Sequence, residues 1–179
     1  MTITAAVADE TAKDIGGEPQ VAVVIGTGLI GASIGCALTA AGYRVHLRDH
    51  KISHARVAAS LGAGVIEAPR TADVGVVIVA VPPASIADVV GHALRTYLVA
   101  AVTDVGSVKA GVLDTLWKRD IPLERYVGSH PMAGSQHSGP VTARPDLFED
   151  RSWVITPHRR SLPAAVERVS LVVQACRAR

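Results

Sequence analysis

Val21-Ala22-Val23-Val24-Ile25-Gly26-Thr27-Gly28-Leu29-Ile30-Gly31 decides the fold of this chain. A five-residue apolar run stopped by glycine reads as a buried strand. The Gly-x-Gly-x-x-Gly that follows (Gly26, Gly28, Gly31) opens the stretch Leu29 to Ala41, which reads as a helix ending at Gly42. A glycine triplet alone is weak; between a strand and a helix it has a physical meaning. Gly26 allows the tight turn, Gly28 lets the backbone approach a pyrophosphate, and Gly31 lets the helix pack closely on the sheet. The first helical amides, at Leu29 and Ile30, are then free to meet phosphate oxygens.

Working outward, Val45 to Arg48 reads as a second strand with Asp49 at its end, close to the roughly 20-residue spacing at which an acid meets the adenosine ribose. An acid there accepts from ribose hydroxyls and repels a 2′-phosphate, which favours NAD over NADP without excluding it. The plainer reading of Asp49 is a solvated turn acid, and of Arg48, His50 and Lys51 ordinary surface charge. Beyond it come a helix over Ile52 to Leu61, a short strand at Val65-Ile66, and a β-branched strand from Gly75 to Val81 closed by Pro82-Pro83. A helix over Ile86 to Leu98, a strand over Val99 to Thr103 and a helix over Val108 to Trp117 follow. Tyr126 to Ser129 and Trp153 to Thr156 read as later strands, and Leu162 to Cys176 as a helix with Val166, Val169, Val173 and Cys176 on one stripe. This alternation predicts an α/β, Rossmann-type doubly wound fold with a mostly parallel sheet and helices on both faces. Residues 1–19 read as a flexible polar extension and 20–179 as one domain, ending on a helix that ought to lead into another strand or domain.

Composition narrows the function classes. Hydrophobic residues make up 49% of the 179, enough for a sizeable core, and only 3% are aromatic, so that core is aliphatic. A net charge of +2 with no basic stripe gives no footprint for nucleic acid. Cys36 and Cys176, far apart within apolar runs, read as buried free thiols of a reducing compartment, and no zinc-ligand spacing exists. The first 20 residues lack a basic-then-apolar leader, and the longest apolar run, near Val74 to Val81, is far short of a membrane span. A cytoplasmic protein with a small-molecule partner is expected.

Three further stretches bear on chemistry. Ala80-Val81-Pro82-Pro83 closes a strand where such sheets face their ligand, so Val81 and Pro82 are candidate cofactor neighbours; a simple strand stop explains them equally well. Ser107, in Asp104-Val105-Gly106-Ser107-Val108-Lys109, either caps the helix that follows or points into the crevice. His130, in Gly128-Ser129-His130-Pro131-Met132-Ala133-Gly134, sits at a strand end between a serine and a proline. Imidazole suits proton removal from a hydroxyl near neutral pH, and His130 alone among the seven histidines has that setting.

Taken in order, Val24 to Ser33, Val79 to Pro83, Thr103 to Lys109, Gly128 to Gly134, Ser138-Gly139, Leu147-Phe148 and Val154 to Pro157 resemble the nucleotide-binding domain of the prephenate and arogenate dehydrogenases of tyrosine biosynthesis. The resemblance implies an NAD-dependent oxidative decarboxylation of prephenate. In it His130 accepts the ring-hydroxyl proton, Ser107 hydrogen-bonds at that hydroxyl and histidine, and the glycines with Asp49 hold NAD. Arogenate or 4-amino-4-deoxyprephenate is the alternative substrate within the family, and a non-catalytic NAD-binding fragment the alternative outside it. A β-hydroxyacid dehydrogenase relative would share the fold, but the Ser-His-Pro-Met-Ala-Gly block argues against it. Two departures stand out. Ser135-Gln136-His137 carries a neutral Gln136 where the family commonly has an acid. The family's second, all-helical domain, which forms the homodimer and supplies an arginine for substrate carboxylates, has no counterpart here.

Overall fold

The computed structural model describes residues 20–133 and 139–179; the expected extension 1–19 and the motif residues 134–138, Gln136 and His137 among them, lie outside the described residues. Val21–Ile25 forms β1. Its side chains alternate between two cores, as a strand buried on both faces requires: Val21 and Val23 enter one, Ala22 and Val24 the other. β2 (Arg44–Arg48), β3 (Val74–Val79) and β4 (Ala101–Asp104) lie parallel to it in the order β2-β1-β3-β4. α1 (Leu29–Ala40), α2 (Ile52–Ser60) and α5 (Pro163–Ala175) cover one face, and α3 (Ile86–Thr96) and α4 (Ala110–Lys118) the other. Of the predicted stripe, Val169 and Val173 on α5 and Cys176 just after it are buried, and Val166 is half-buried.

Two single-residue parallel bridges flank these strands, Val65 against His46 and Tyr126 against Val102. They complete a six-position order of 3-2-1-4-5-6, the doubly wound arrangement that binds dinucleotides. The strand expected at Val65-Ile66 is thus only a bridge. Gly64 at φ +141 turns the chain just before it, with no room for a Cβ beside the Val45 carbonyl. The strand expected over Tyr126 to Ser129 divides: Tyr126 stays in the parallel order, while β5 (Gly128–Pro131) pairs antiparallel with β6 (Trp153–Thr156). Among the described residues the connection between them carries one 3-10 turn, Pro140–Thr142. β3 also starts and ends earlier than expected. Gly75 is an extra residue in its pairing with β1, so Val74, Val77 and Val79 share a face despite their spacing. Ala80 and Val81 leave the sheet. Among the described residues, no helix is long and apolar enough to cross a membrane.

Cys176 is 1% exposed, and burial pushes its thiol from 9.0 up to about 12. Burial and the neighbouring Asp104 carboxylate push the Tyr126 phenol well above its ordinary 10.0. Both are acids whose folded-state ionisation is raised, so above pH 9.0 the native chain keeps protons that the unfolded chain releases. Stability is therefore expected to fall with rising pH from that point, by at most about 1.4 kcal/mol per pH unit for the thiol. Melting curves between about pH 8 and about pH 11 check this: Cys176→Ala should flatten the decline, and an equal slope in both proteins would refute it.

Candidate nucleotide site

The carboxyl ends of the four parallel strands are level. Arg48, Ile25, Val79 and Asp104 are successive partners across β2, β1, β3 and β4. Whatever follows these residues emerges along one edge: Asp49, the glycine turn, Ala80-Val81 and the turn through Ser107. The chain goes from β1 to β2 on one side and returns to β3 on the other, which makes the gap between β1 and β3 the switch point where such sheets bind ligands.

At that gap each glycine answers a separate constraint. Gly26 has φ +93, and a Cβ there would stand 2.3 Å from the Ala80 carbonyl oxygen and 3.1 Å from Val81 Cγ1. A Cβ on Gly31 would stand 1.9 Å from the Gly26 carbonyl oxygen, so the first turn of α1 lies directly on the glycine turn. Gly28 has nothing within 4 Å of its Cβ position and an ordinary φ of −70. Its missing side chain leaves open space rather than relieving a clash, which suits close approach of a phosphate. The Ala32 amide makes the first bond into the helix, to the Gly28 carbonyl, so those of Leu29, Ile30 and Gly31 precede the helical ladder. Leu29 is buried and Ile30 packs on the core, so both can meet a phosphate only through the backbone. Val81 is half-buried beside the turn, and Pro82 is exposed at the start of the 3-10 turn Pro83–Ser85 that leads into α3.

Asp49 is more engaged than a solvated turn acid. Its Oδ2 accepts from the Thr27 amide (2.7 Å) and hydroxyl (2.9 Å), and Oδ1 accepts from the Lys51 amide (2.9 Å). Burial pushes the carboxyl up, but these donors, with His50 beside them, outweigh it and hold the group below its ordinary value. A carboxylate has about four lone-pair positions. The remaining one faces His50 Nδ1 at 3.1 Å, on a side chain 80% exposed that can swing aside for a ribose hydroxyl. Arg48 is not free to hold a 2′-phosphate: its guanidinium donates to the carbonyls of Leu47, Ile66 and Glu67.

His130 stands on β5 with Nδ1 3.3 Å from the Val105 carbonyl oxygen. A carbonyl only accepts, so Nδ1 carries the hydrogen and Nε2 of the neutral ring is the basic nitrogen. His46 and His158 also bond backbone carbonyls, those of Glu67 and Leu123. Ser107 is exposed in the turn after β4 and does not cap α4, whose N-cap position belongs to Lys109. Among the described residues it makes no hydrogen bond to His130.

The cluster that holds the turn after β4 has no role that its sequence announces. The Asp104 side chain is fully buried; its Oδ2 accepts from Lys109 Nζ (2.5 Å) and the Gly106 amide (3.0 Å), and its Oδ1 from the Tyr126 hydroxyl (2.7 Å). Burial pushes the Lys109 ammonium down, and Asp104 only partly restores it. Ser129 Oγ donates to the Asp104 carbonyl and accepts from Thr103. An acid at a strand end with a lysine one helical entry later was the available signal.

Residues 34–179 match the sequence profile of a family described as prephenate dehydrogenase, nucleotide-binding domain. That match begins beyond the glycine triplet, whose reading therefore stands on its geometry. The chain is 39% identical over 158 residues to the protein named "Probable prephenate dehydrogenase NovF" of Streptomyces niveus, covering 88% of this chain and 43% of that one. Arogenate dehydrogenase of Synechocystis superposes with a TM-score of 0.78 at 22% identity, covering 89% of this chain and 58% of that one. Prephenate dehydrogenase of Aquifex aeolicus, in complex with hydroxyphenyl propionate and NAD+, gives 0.74 at 23% identity, with 89% and 58% covered. These two structural likenesses show the Rossmann fold. The chain spans about half the length of the curated relatives it matches.

Proposed function

The chain belongs to the prephenate dehydrogenase family, as its nucleotide-binding domain, and from that premise we propose that it serves the NAD-dependent oxidative decarboxylation of prephenate to 4-hydroxyphenylpyruvate in tyrosine biosynthesis. The observation that carries this reading is the level row Arg48–Ile25–Val79–Asp104, with open space at the Gly28 Cβ position on its edge and His130 facing the Val105 carbonyl just past its last residue. From β1 to β4 is two strand spacings, about 10 Å. That separation suits an extended dinucleotide whose reactive end reaches the histidine.

The residues present fit NAD. The opening at Gly28 and the amides of Leu29, Ile30 and Gly31 receive the pyrophosphate, Gly26 and Gly31 hold the turn, and Val81 and Pro82 wall the crevice. Asp49, kept ionised by its donors, takes the ribose hydroxyls and disfavours the 2′-phosphate of NADP. When bound, NAD supplies the hydride acceptor for the ring carbon that bears the hydroxyl. His130 Nε2 takes the hydroxyl proton, Ser107 hydrogen-bonds at that oxygen, and loss of the ring carboxylate as carbon dioxide leaves an aromatic ring. Aromatisation drives the reaction, so the chain's part is positioning plus one base.

Calorimetric titration with NAD and NADP, followed by NADH formation with prephenate, arogenate and 4-amino-4-deoxyprephenate, tests the reading. NAD is expected to bind more tightly than NADP, and prephenate to be the substrate oxidised. Turnover of another of the three instead reassigns the substrate. NAD binding without turnover of any of them removes the catalytic reading and leaves a nucleotide-binding domain.

A further inference from the structure

We propose that Asp104 is the positioning residue of His130: its buried carboxylate gathers the β4–α4 turn so that the Val105 carbonyl meets Nδ1 and Nε2 is left as the proton-accepting nitrogen. The proposal deepens the reading of His130 as the base and rests on it, although the geometry involves neither cofactor nor substrate.

A carboxylate with 0% exposure is costly to hold unless its oxygens are bonded. Here each donor comes from a different segment: Gly106 from the turn itself, Lys109 from the entry to α4, and Tyr126 from the chain leading into β5. The Gly106 bond closes a turn across Val105, and that turn directs the Val105 carbonyl at the histidine. Space around the turn is tight, since a Cβ on Gly106 would lie 2.5 Å from Ile86 Cδ1 and 3.2 Å from Asp104 Oδ2. The main chain of Asp104 acts in the same direction: its carbonyl accepts from Ser129, the residue before His130. Asp104 therefore fixes both the acceptor that His130 faces and the strand that carries it. A buried ion pair adds little stability over an apolar replacement. Its hold on the turn that carries the Val105 carbonyl gives this one a use that stability does not: which ring nitrogen holds the proton is set by the partner of the other.

The test is a long-range proton–nitrogen correlation spectrum of the nitrogen-15-labelled full chain, with His130 identified by the signals that vanish in His130→Asn. In the unsubstituted protein, neutral His130 is expected to show a protonated Nδ1 and a bare Nε2. Asp104→Asn keeps the side-chain shape and should move both nitrogen resonances toward the opposite tautomer; Lys109→Met should move them the same way by less. A bare Nδ1 in the unsubstituted protein overturns the proposal, as does an unmoved tautomer in a folded Asp104→Asn. Should Asp104→Asn not fold, Lys109→Met and Tyr126→Phe decide, and an unmoved tautomer in both overturns it. These spectra need neither NAD nor turnover, so failure of the dehydrogenase reading leaves them interpretable.

Discussion

Gly31→Ala is expected to lower the stability of the domain by about 3 kcal/mol or more, the upper end of what overpacking costs. For a domain of this size, that is a fall in Tm of roughly 6–12 °C. The added methyl would stand 1.9 Å from the Gly26 carbonyl oxygen and 3.0 Å from Ala80 Cβ, and neither is a side-chain tip able to rotate away. The backbone of the first helical turn must rise off the glycine turn, which disturbs the Gly26 amide bond to the Arg48 carbonyl and the edge it closes. Gly28→Val provides the contrast three residues earlier. Its φ of −70 suits any residue and its Cβ position is empty to 4 Å, so its Tm should stay within a few degrees. NAD affinity should nevertheless collapse, because the branched side chain fills the opening that the pyrophosphate needs. Thermal melts and NAD titrations on both variants separate the two roles. Equal loss of Tm in both would show that Gly28 is structural too, and unimpaired NAD binding by Gly28→Val would remove it from the site.

The same contrast shows what can be read from a sequence of this kind. A glycine triplet between strand and helix specifies a turn of known shape, so Gly26, Gly28 and Gly31 were legible because their constraint is local. The alternation of strands and helices fixed the doubly wound class for a similar reason. The edges were less legible. Val65 and Tyr126 were legible as strand positions, but each pairs through a single bridge, and the antiparallel pairing of β5 with β6 left no mark in the strand–helix alternation. The Gly75 bulge shifts the parity of β3, which a period-2 reading cannot register. At the site, His130 stood out by its neighbours in sequence, whereas Asp104, Lys109 and Tyr126 meet only through the turn after β4 and the entry to β5. Asp49 shows a further limit: its position is the one expected of an acid that meets the ribose, but its hold on Thr27 appears only in three dimensions.

His130→Asn is expected to lower kcat for prephenate by about 10²–10⁴-fold, the span of one general base, while leaving NAD affinity and the fold unchanged. Asparagine is the informative choice. Its side-chain amide can still donate to the Val105 carbonyl, so β5 keeps its anchor, but it offers no basic nitrogen where Nε2 stood. Alanine would lose both at once and confuse position with chemistry. Ser107→Ala should cost far less, about tenfold, because an exposed hydroxyl in the turn contributes one hydrogen bond and carries no proton away. Steady-state kinetics with NAD binding measured on the same preparations distinguishes the cases. A kcat unaffected by His130→Asn would take His130 out of the mechanism. A large loss of NAD affinity would mean the substitution acts on the cofactor crevice, since the row from Arg48 to Asp104 holds the glycine turn without any contribution from β5.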